Sequence, residues 1–335
     1  MRNGWVEIEE GESKLLIPKV EAPEEGEVFY HPEQALARDM SILFYKSYDY
    51  EVLDAFGGTG ARAVRLAKNG VKVTSNDISD RAVNLIQKNA KLNGVDIDVI
   101  HNRAEKTIHS QLWEAIDIDP FGSPVSWVHC GLLNSKKLLA VTATDTAALS
   151  GTYPRVARRR YGFHSKRTPN YHEIAVRALA GFVVRQGAVI EVAATPVFAH
   201  TYRHYTRVYF ELGKGAGRCD QLLDQMGDSN EVGPIWMGNL WKKSLVEKMW
   251  KNRESVTMGS KWTLKHLETI KGELEFPQPY FHLHKLCKSM QITSPPMAAV
   301  LKAVNGVRTH FTPLGFRTEL SETKVKQELK RLTSS

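Results

Sequence analysis

From Glu51 onward, short apolar runs alternate with stretches of helical period, and this alternation limits the fold more than any other property of the 335-residue chain. The runs are EVLDAF (51–56), VKVTSND (71–77), IDVI (97–100), EAIDID (114–119), KLLAVTAT (137–144), AVIEVAA (188–194) and TRVYFEL (206–212). Helical patterns at 61–69, 79–92, near 125–133 and at 172–185 fall between them. Strand followed by helix, repeated, predicts an α/β fold: a doubly wound, mostly parallel sheet whose ligands gather at the C-terminal strand ends.

The length predicts two domains. Residues 241–335 hold 17 Lys and Arg against 8 Asp and Glu, whereas the rest hold 28 against 29, so the net charge of +8 originates in the last third. That imbalance fits a reaction domain joined to a smaller, basic α/β domain that holds a polyanion, the alternative being a solvated basic surface. The Gly-rich polar stretch from Gly213 to Gly238 marks the expected boundary, giving domains 1–215 and 216–335, with an acidic leader over 1–30. The leader could pair as short strands or lie extended. SPPMAAVLKAVNGV, then VRTHFTPLGFRTEL and a polar helix, follow the order of a winged-helix-like unit. Trp236, Trp241, Trp250 and Trp262 are expected in the core of the second domain.

Cys130, Cys219 and Cys287 form no C-x-x-C pair, which argues against a disulfide framework or a thiolate zinc site; no metal is expected, and a reducing cytoplasm fits them. The N-terminus lacks an apolar core, and Arg177, Arg185 and Glu191 interrupt the longest apolar stretch, so neither a signal peptide nor a membrane span is expected.

LDAFGGTGARAVRLA places a glycine-rich turn between a buried strand and a helix, where backbone can approach a ligand closely. Gly58, Gly60 and Ala63 also satisfy the G-x-G-x-x-A dinucleotide pattern, so a nicotinamide dehydrogenase competes at this point. The next strand ends at Asp77, whose carboxylate can accept hydrogen bonds from both hydroxyls of an adenosine ribose, a group that NAD and S-adenosylmethionine share; capping of the following helix is its structural alternative. Asp54 is expected to orient the glycine loop.

The fourth strand separates these readings. AIDIDPFGSP resembles the (Asp/Asn)-Pro-Pro-(Tyr/Phe) loop of methyltransferases that act on exocyclic amines. A guanine amine is a poor nucleophile because its lone pair is delocalised into the ring, and it turns cationic as the methyl arrives. A fixed carboxylate at Asp119 would stabilise that charge and accept the proton. Pro120 would stiffen the loop, and Phe121 could stack on a base withdrawn from its helix.

With those residues the chain resembles the tRNA (guanine-26, N2) dimethyltransferase family. VFYHPEQALARDMS, IDIDPFGSP, VTATDTAALSGTYPRVARRRYG and RTHFTPLGFRTEL carry the resemblance, which extends over most of the length. It implies a class I methyltransferase-like fold, S-adenosylmethionine as cofactor, and dimethylation of the guanine N2. It implies that Arg38 reaches the cofactor carboxylate with help from Arg62, that Asp77 holds the ribose, and that Phe29 and Phe121 sandwich the guanine beside Asp119. Three departures stand out. His31 replaces the usual Asn; the acid expected at the adenine amine is replaced by Ala104, with Glu105 one place along; and the cysteine-rich zinc ribbon of many members is missing.

Arg155, Arg158, Arg159, Arg160, Lys166 and Arg167 follow the fifth strand, interleaved with Tyr153, Tyr161 and His164, a mixture that suits an opened tRNA core. Arg308, His310 and Arg317 of the C-terminal signature are expected to join them at the tRNA, bound by a monomeric enzyme. His282 and His284 are read as structural or as phosphate contacts. Two readings from other classes stand against this one: the dehydrogenase, and a non-catalytic tRNA-binding module derived from a methyltransferase.

Overall fold

The computed structural model describes residues 4–19, 28–229, 231–276 and 279–333. Within the leader, an antiparallel hairpin pairs β1 (Trp5–Glu10) with β2 (Ser13–Pro18); residues 28–30 lie outside any helix or strand, and residues 1–3 and 20–27 lie outside the described residues. A helix that the periodicity left unread, α1 (Ala35–Tyr45), comes next, and nearly all of its residues are buried.

The alternating segment then runs β3 (Val52–Asp54), α2 (Ala61–Lys68), β4 (Val73–Asp77), α3 (Asp80–Asn93), β5 (Asp98–His101), α4 (Ala104–His109), β6 (Trp113–Ile118), α5 (Val125–Asn134) and β7 (Ser135–Ala143). After it come α6 (Thr146–Leu149), α7 (Pro154–Tyr161), α8 (Tyr171–Ala188), β8 (Val192–Tyr202) and β9 (Tyr205–Lys214). The seven strands form one sheet in the order β5-β4-β3-β6-β7-β9-β8. The neighbours from β5 to β7 are parallel, while β9 runs antiparallel to both β7 and β8. Chain order reverses between β3 and β6, so the crevice beyond their C-terminal ends is where such a sheet takes its ligand. Asp54 closes β3 and Asp119 follows β6.

The Gly-rich stretch after β9 is structured: α9 (Ala216–Leu223), β10 (Met226–Ser229) and β11 (Val232–Trp236). The hairpin lies against α8 at Gly181, where an added Cβ would come within 2.9 Å of the Trp236 backbone nitrogen. The chain continues through α10 (Lys243–Lys251), α11 (Thr263–Glu273), β12 (Phe281–His282), α12 (Leu283–Met290), α13 (Met297–Ala303), β13 (Val307–Arg308), β14 (Gly315–Arg317) and α14 (Glu322–Thr333), with β12, β14 and β13 forming a small antiparallel sheet.

Two main cores result. The larger holds the seven-stranded sheet together with Cys219, Leu222, Ile235, Trp236, Trp241, Leu245, Leu267, Ile270, Tyr280 and Phe311. The other gathers Leu283, Cys287, Val300, Val304, Phe316, Val325 and Leu329. The division expected between residues 215 and 216 passes through the larger core. Trp236 and Trp241 are buried in that core and Trp250 packs against it, but Trp262 is 45% exposed. No described helix is long and apolar enough to cross a membrane, and among the described residues no three His, Cys, Asp or Glu side chains are grouped so as to hold a metal ion.

Candidate active site

A cavity of about 350 Å³ opens at the β3/β6 crevice, lined by Asp54, Gly58, Arg62, Asp77, Asp119, Pro120, Phe121, Phe29 and Arg38. On one side is the glycine turn. Gly58 and Gly60 take φ of +54° and +76°, the left-handed region where a side chain is strained, and a Cβ on Gly60 would press to 3.0 Å from the Ile86 Cα. Gly60 starts α2 and shapes the turn without lining the cavity. Asp77 Oδ2 accepts from Gly58 N at 2.8 Å and Oδ1 from Ser79 N at 2.9 Å. The hydrogen bond that fixes the glycine loop therefore comes from Asp77, where Asp54 was expected to supply it; Ser79 is the N-cap of α3.

From Arg62 and Asp119 of the lining inward, charges alternate. The Arg62 guanidinium pairs with Asp119 through Nη2 and donates through Nη1 to Asp117 Oδ1 at 2.5 Å. Asp117 is also paired with Arg207 and accepts from Tyr45 Oη at 3.1 Å, and Arg207 in turn donates to Thr142. Burial alone would raise the Asp117 carboxyl, but Arg207 and Arg62 hold it below the usual range. Asp54 has the opposite balance: burial pushes it up to about 7, with the neighbouring Asp117 and Asp119 adding to the rise against Arg62. The Asp119 side chain is 12% exposed and borders the cavity that Asp77 borders. Arg62 Nε is buried with no hydrogen-bond partner among the described residues.

Arg38 donates to Glu10 twice, from Nε at 2.7 Å and Nη2 at 2.5 Å, and once more to the His31 carbonyl at 3.1 Å. Glu10 also accepts from Arg65 at 2.8 Å and from Tyr30 Oη at 2.6 Å, so a residue of the leader hairpin fixes an arginine of the cavity wall. Burial opposes the charge on Glu10, yet Arg38 and Arg65 hold its carboxyl down at about 2. Glu10 carried no signal of its own among the nine glutamates of the first 33 positions. Tyr30, Gln34, Phe56, Thr59, Ile78 and Thr144 are further wall residues that the motifs did not single out. His31 accepts from Glu33 N at 3.2 Å and so caps the Pro32–Gln34 turn.

Phe29 and Phe121 meet edge to face, ring centres 5.6 Å apart and planes at 62°, which leaves no base-wide gap between them as they stand. Phe121 is 75% exposed, so its ring has room to turn. Ala104 and Glu105 open α4 outside the cavity lining, Ala104 buried and Glu105 3.8 Å from Arg103.

The α7 cations Arg155, Arg158, Arg159 and Arg160 are exposed, as are Lys166 and Arg167. Lys166 pairs with Glu231 at 2.5 Å and Arg167 lies over the Tyr171 ring at 4.0 Å. Arg308 is exposed as well. His310 and Arg317 are not at the surface, which corrects their expected place at tRNA. Arg317 is 1% exposed and donates to Glu273 at 2.5 Å, with Glu173 at 3.1 Å, while His310 Nδ1 lies 2.7 Å from Glu273. These buried pairs join α8, α11 and the β13–β14 region, a structural use of charge that a count of basic residues cannot detect.

The sequence profile described as N2,N2-dimethylguanosine tRNA methyltransferase matches residues 11–231 and 227–330. A tRNA (guanine(26)-N(2))-dimethyltransferase of Methanocaldococcus jannaschii is 34% identical over 97% of this chain and 99% of its own. A tRNA (guanine(26)-N(2)/guanine(27)-N(2))-dimethyltransferase of Aquifex aeolicus is 30% identical over 97% of this chain and 96% of its own. The structure of Trm1 from Pyrococcus horikoshii in complex with S-adenosyl-L-methionine superimposes with a TM-score of 0.89 at 29% identity, covering 97% of this chain and 99% of that one. A match of this extent, on a chain whose Asp119-Pro120-Phe121 loop borders the same cavity as its glycine turn, makes this protein a member of the N2,N2-dimethylguanosine tRNA methyltransferase family.

Proposed function

We propose that this chain transfers methyl groups from S-adenosyl-L-methionine to the exocyclic N2 of guanine 26 in tRNA, twice in succession. The observation that carries this reading is the placement of Asp119 on the same cavity as Asp77 and the Gly58 turn, at the strand-order reversal of the sheet. The cavity fits the donor. Asp77 on the cavity wall offers a carboxylate to the ribose hydroxyls, the positive-φ glycines let backbone come close, Phe56 and Ile78 offer apolar wall, and the unpartnered Nε of Arg62 can donate to a carboxylate.

The donor supplies a methyl carbon made electrophilic by its bond to a sulfonium. Asp119 faces the guanine amine, stabilises the positive charge that grows on N2 as the new nitrogen–carbon bond forms, and takes the proton released. Arg62, held by Asp117, which is itself paired with Arg207, fixes the direction of the Asp119 carboxylate. Phe121 turns to stack on the flipped base with Phe29 opposite, a contact of about 1–3 kcal/mol per base. The monomethylated amine keeps one proton, so the same carboxylate serves the second transfer.

The α7 cations with Lys166, Arg167 and Arg308 hold tRNA phosphates, joined by the basic segment 216–335. Incubation with unmodified tRNA and labelled donor, followed by nucleoside analysis and mapping of the modified position, tests the reading. Dimethylguanosine at position 26 is expected; label that stays out of guanine, or NADH binding in place of the donor, would overturn it.

A further inference from the structure

The loop that carries Asp119 is tied to the basic helix. Gly122 N donates to Thr144 Oγ1 at 2.7 Å, and the Gly122 carbonyl accepts from Thr144 N at 2.9 Å and Asp145 N at 3.3 Å. One residue further, Ser123 Oγ lies 3.0 Å from Tyr161 Oη at the end of α7. Tyr161 Oη donates to Asp145 Oδ1 at 2.5 Å, and Arg160 Nη1 donates to Asp145 Oδ2 at 2.9 Å. Burial and the Asp145 charge push the Tyr161 phenol well above its ordinary range, so it stays a donor. Its ring is fully buried against Phe182 of α8, 5.5 Å centre to centre, which anchors the hydroxyl against the core.

Asp145 is 13% exposed on its side chain, whereas Arg160, on its outer side, is 49% exposed. A guanidinium has five N–H donors in a planar fork, so Arg160 can hold Asp145 with one edge and a phosphate oxygen with the other. Arg158 and Arg159 share the helix, but among the described residues Asp145 takes its guanidinium from Arg160.

We propose that Asp145 and Tyr161 are positioning residues for the Asp119–Gly122 loop, and that a substrate phosphate on Arg160 reaches the loop through them. The proposal rests on the tRNA reading above. Phosphate, Arg160, Asp145, Tyr161 and Ser123 form one hydrogen-bonded line, so gripping the tRNA and setting the Asp119 carboxylate and Phe121 ring are a single event. Cations that only grip act on the apparent affinity for tRNA; those on the line act on turnover as well.

The test is steady-state methyl transfer to unmodified tRNA by the full chain and its Tyr161→Phe, Asp145→Asn, Arg160→Gln and Arg158→Gln variants, with donor affinity measured by calorimetry and melting followed in parallel. Tyr161→Phe keeps the ring against Phe182 and removes the hydroxyl alone. It is expected to lower kcat about tenfold, the size of one lost hydrogen bond, with KM for tRNA and donor Kd changed less than about twofold. Asp145→Asn keeps an acceptor for Tyr161 but weakens the hold of Arg160, and should fall between Tyr161→Phe and the wild type. Arg160→Gln should lower kcat and raise KM together, and Arg158→Gln should raise KM with the smaller effect on kcat. A wild-type chain that turns over on tRNA while Tyr161→Phe and Asp145→Asn keep its kcat overturns the proposal alone, as does an Arg160→Gln variant indistinguishable from Arg158→Gln. A wild-type chain that methylates no tRNA overturns the reading beneath it.

Discussion

The guanidinium of Arg62 closes on the carboxylate of Asp119, and its second nitrogen holds Asp117 at 2.5 Å, so the acid that faces the cavity is aimed from behind by a buried arginine. Arg62→Lys offers a single point charge where a fork spanned two carboxylates. It should lower kcat about a hundredfold and destabilise the fold by about 3 kcal/mol, since breaking a buried pair leaves charge uncompensated. Transfer assays with denaturant melts check both effects, and an unchanged kcat would contradict the aiming role.

Asp54 provides a pH signature. Its carboxyl lies at about 7 in the folded chain against 3.8 unfolded, so the folded state holds an extra proton between those values. The stability tied to that proton is therefore complete at low pH and is lost as pH rises through about 7. Asp54→Asn keeps its neutral form throughout. Its stability advantage over the wild type should be roughly 2–3 kcal/mol larger at pH 8 than at pH 5. Denaturant melts at the two pH values measure it, and a constant difference would be the contrary result.

Glu10 shows the opposite sign. With its carboxyl held at about 2 against 4.5, its contribution is present above pH 4.5 and is lost as pH falls towards 2. Glu10→Gln leaves Arg38 and Arg65 without their shared partner and should cost about 3–5 kcal/mol at neutral pH. Donor affinity should drop with it, because Arg38 lines the cavity. Melts and calorimetry on the variant decide, and unaltered donor affinity would separate the hairpin from the site.

How far the sequence leads differs between elements. The seven strands and the Asp119 loop were legible because periodicity and a strand-end motif are local properties, and they place Asp54, Asp77 and Asp119 around one crevice. The Gly-rich stretch read as a boundary because glycine and polar residues mark loops, yet Gly181 on α8 makes room for a hairpin there. Glu10, Arg207 and the buried Arg317 were out of reach, since composition does not reveal which cation meets which carboxylate across the chain. The edge-to-face contact of Phe29 with Phe121 is likewise a matter of side-chain orientation that no motif encodes.

For the tRNA grip, Arg155, Arg158 and Arg159 are exposed on one helix. Changing all three to Gln should reduce the slope of log Kd against log salt by about 2, at roughly 0.7–0.9 per phosphate contact. Filter binding across a salt series reads the slope, and an unaltered slope would remove α7 from the interface.

In the proposed reaction Asp119 acts on the amine while the donor is bound beside it. The most direct measurement is a single-turnover methyl transfer to unmodified tRNA by Asp119→Ala, paired with calorimetry of donor binding. Donor affinity close to wild type with transfer abolished is the expected result. Near-normal transfer by the variant would contradict it.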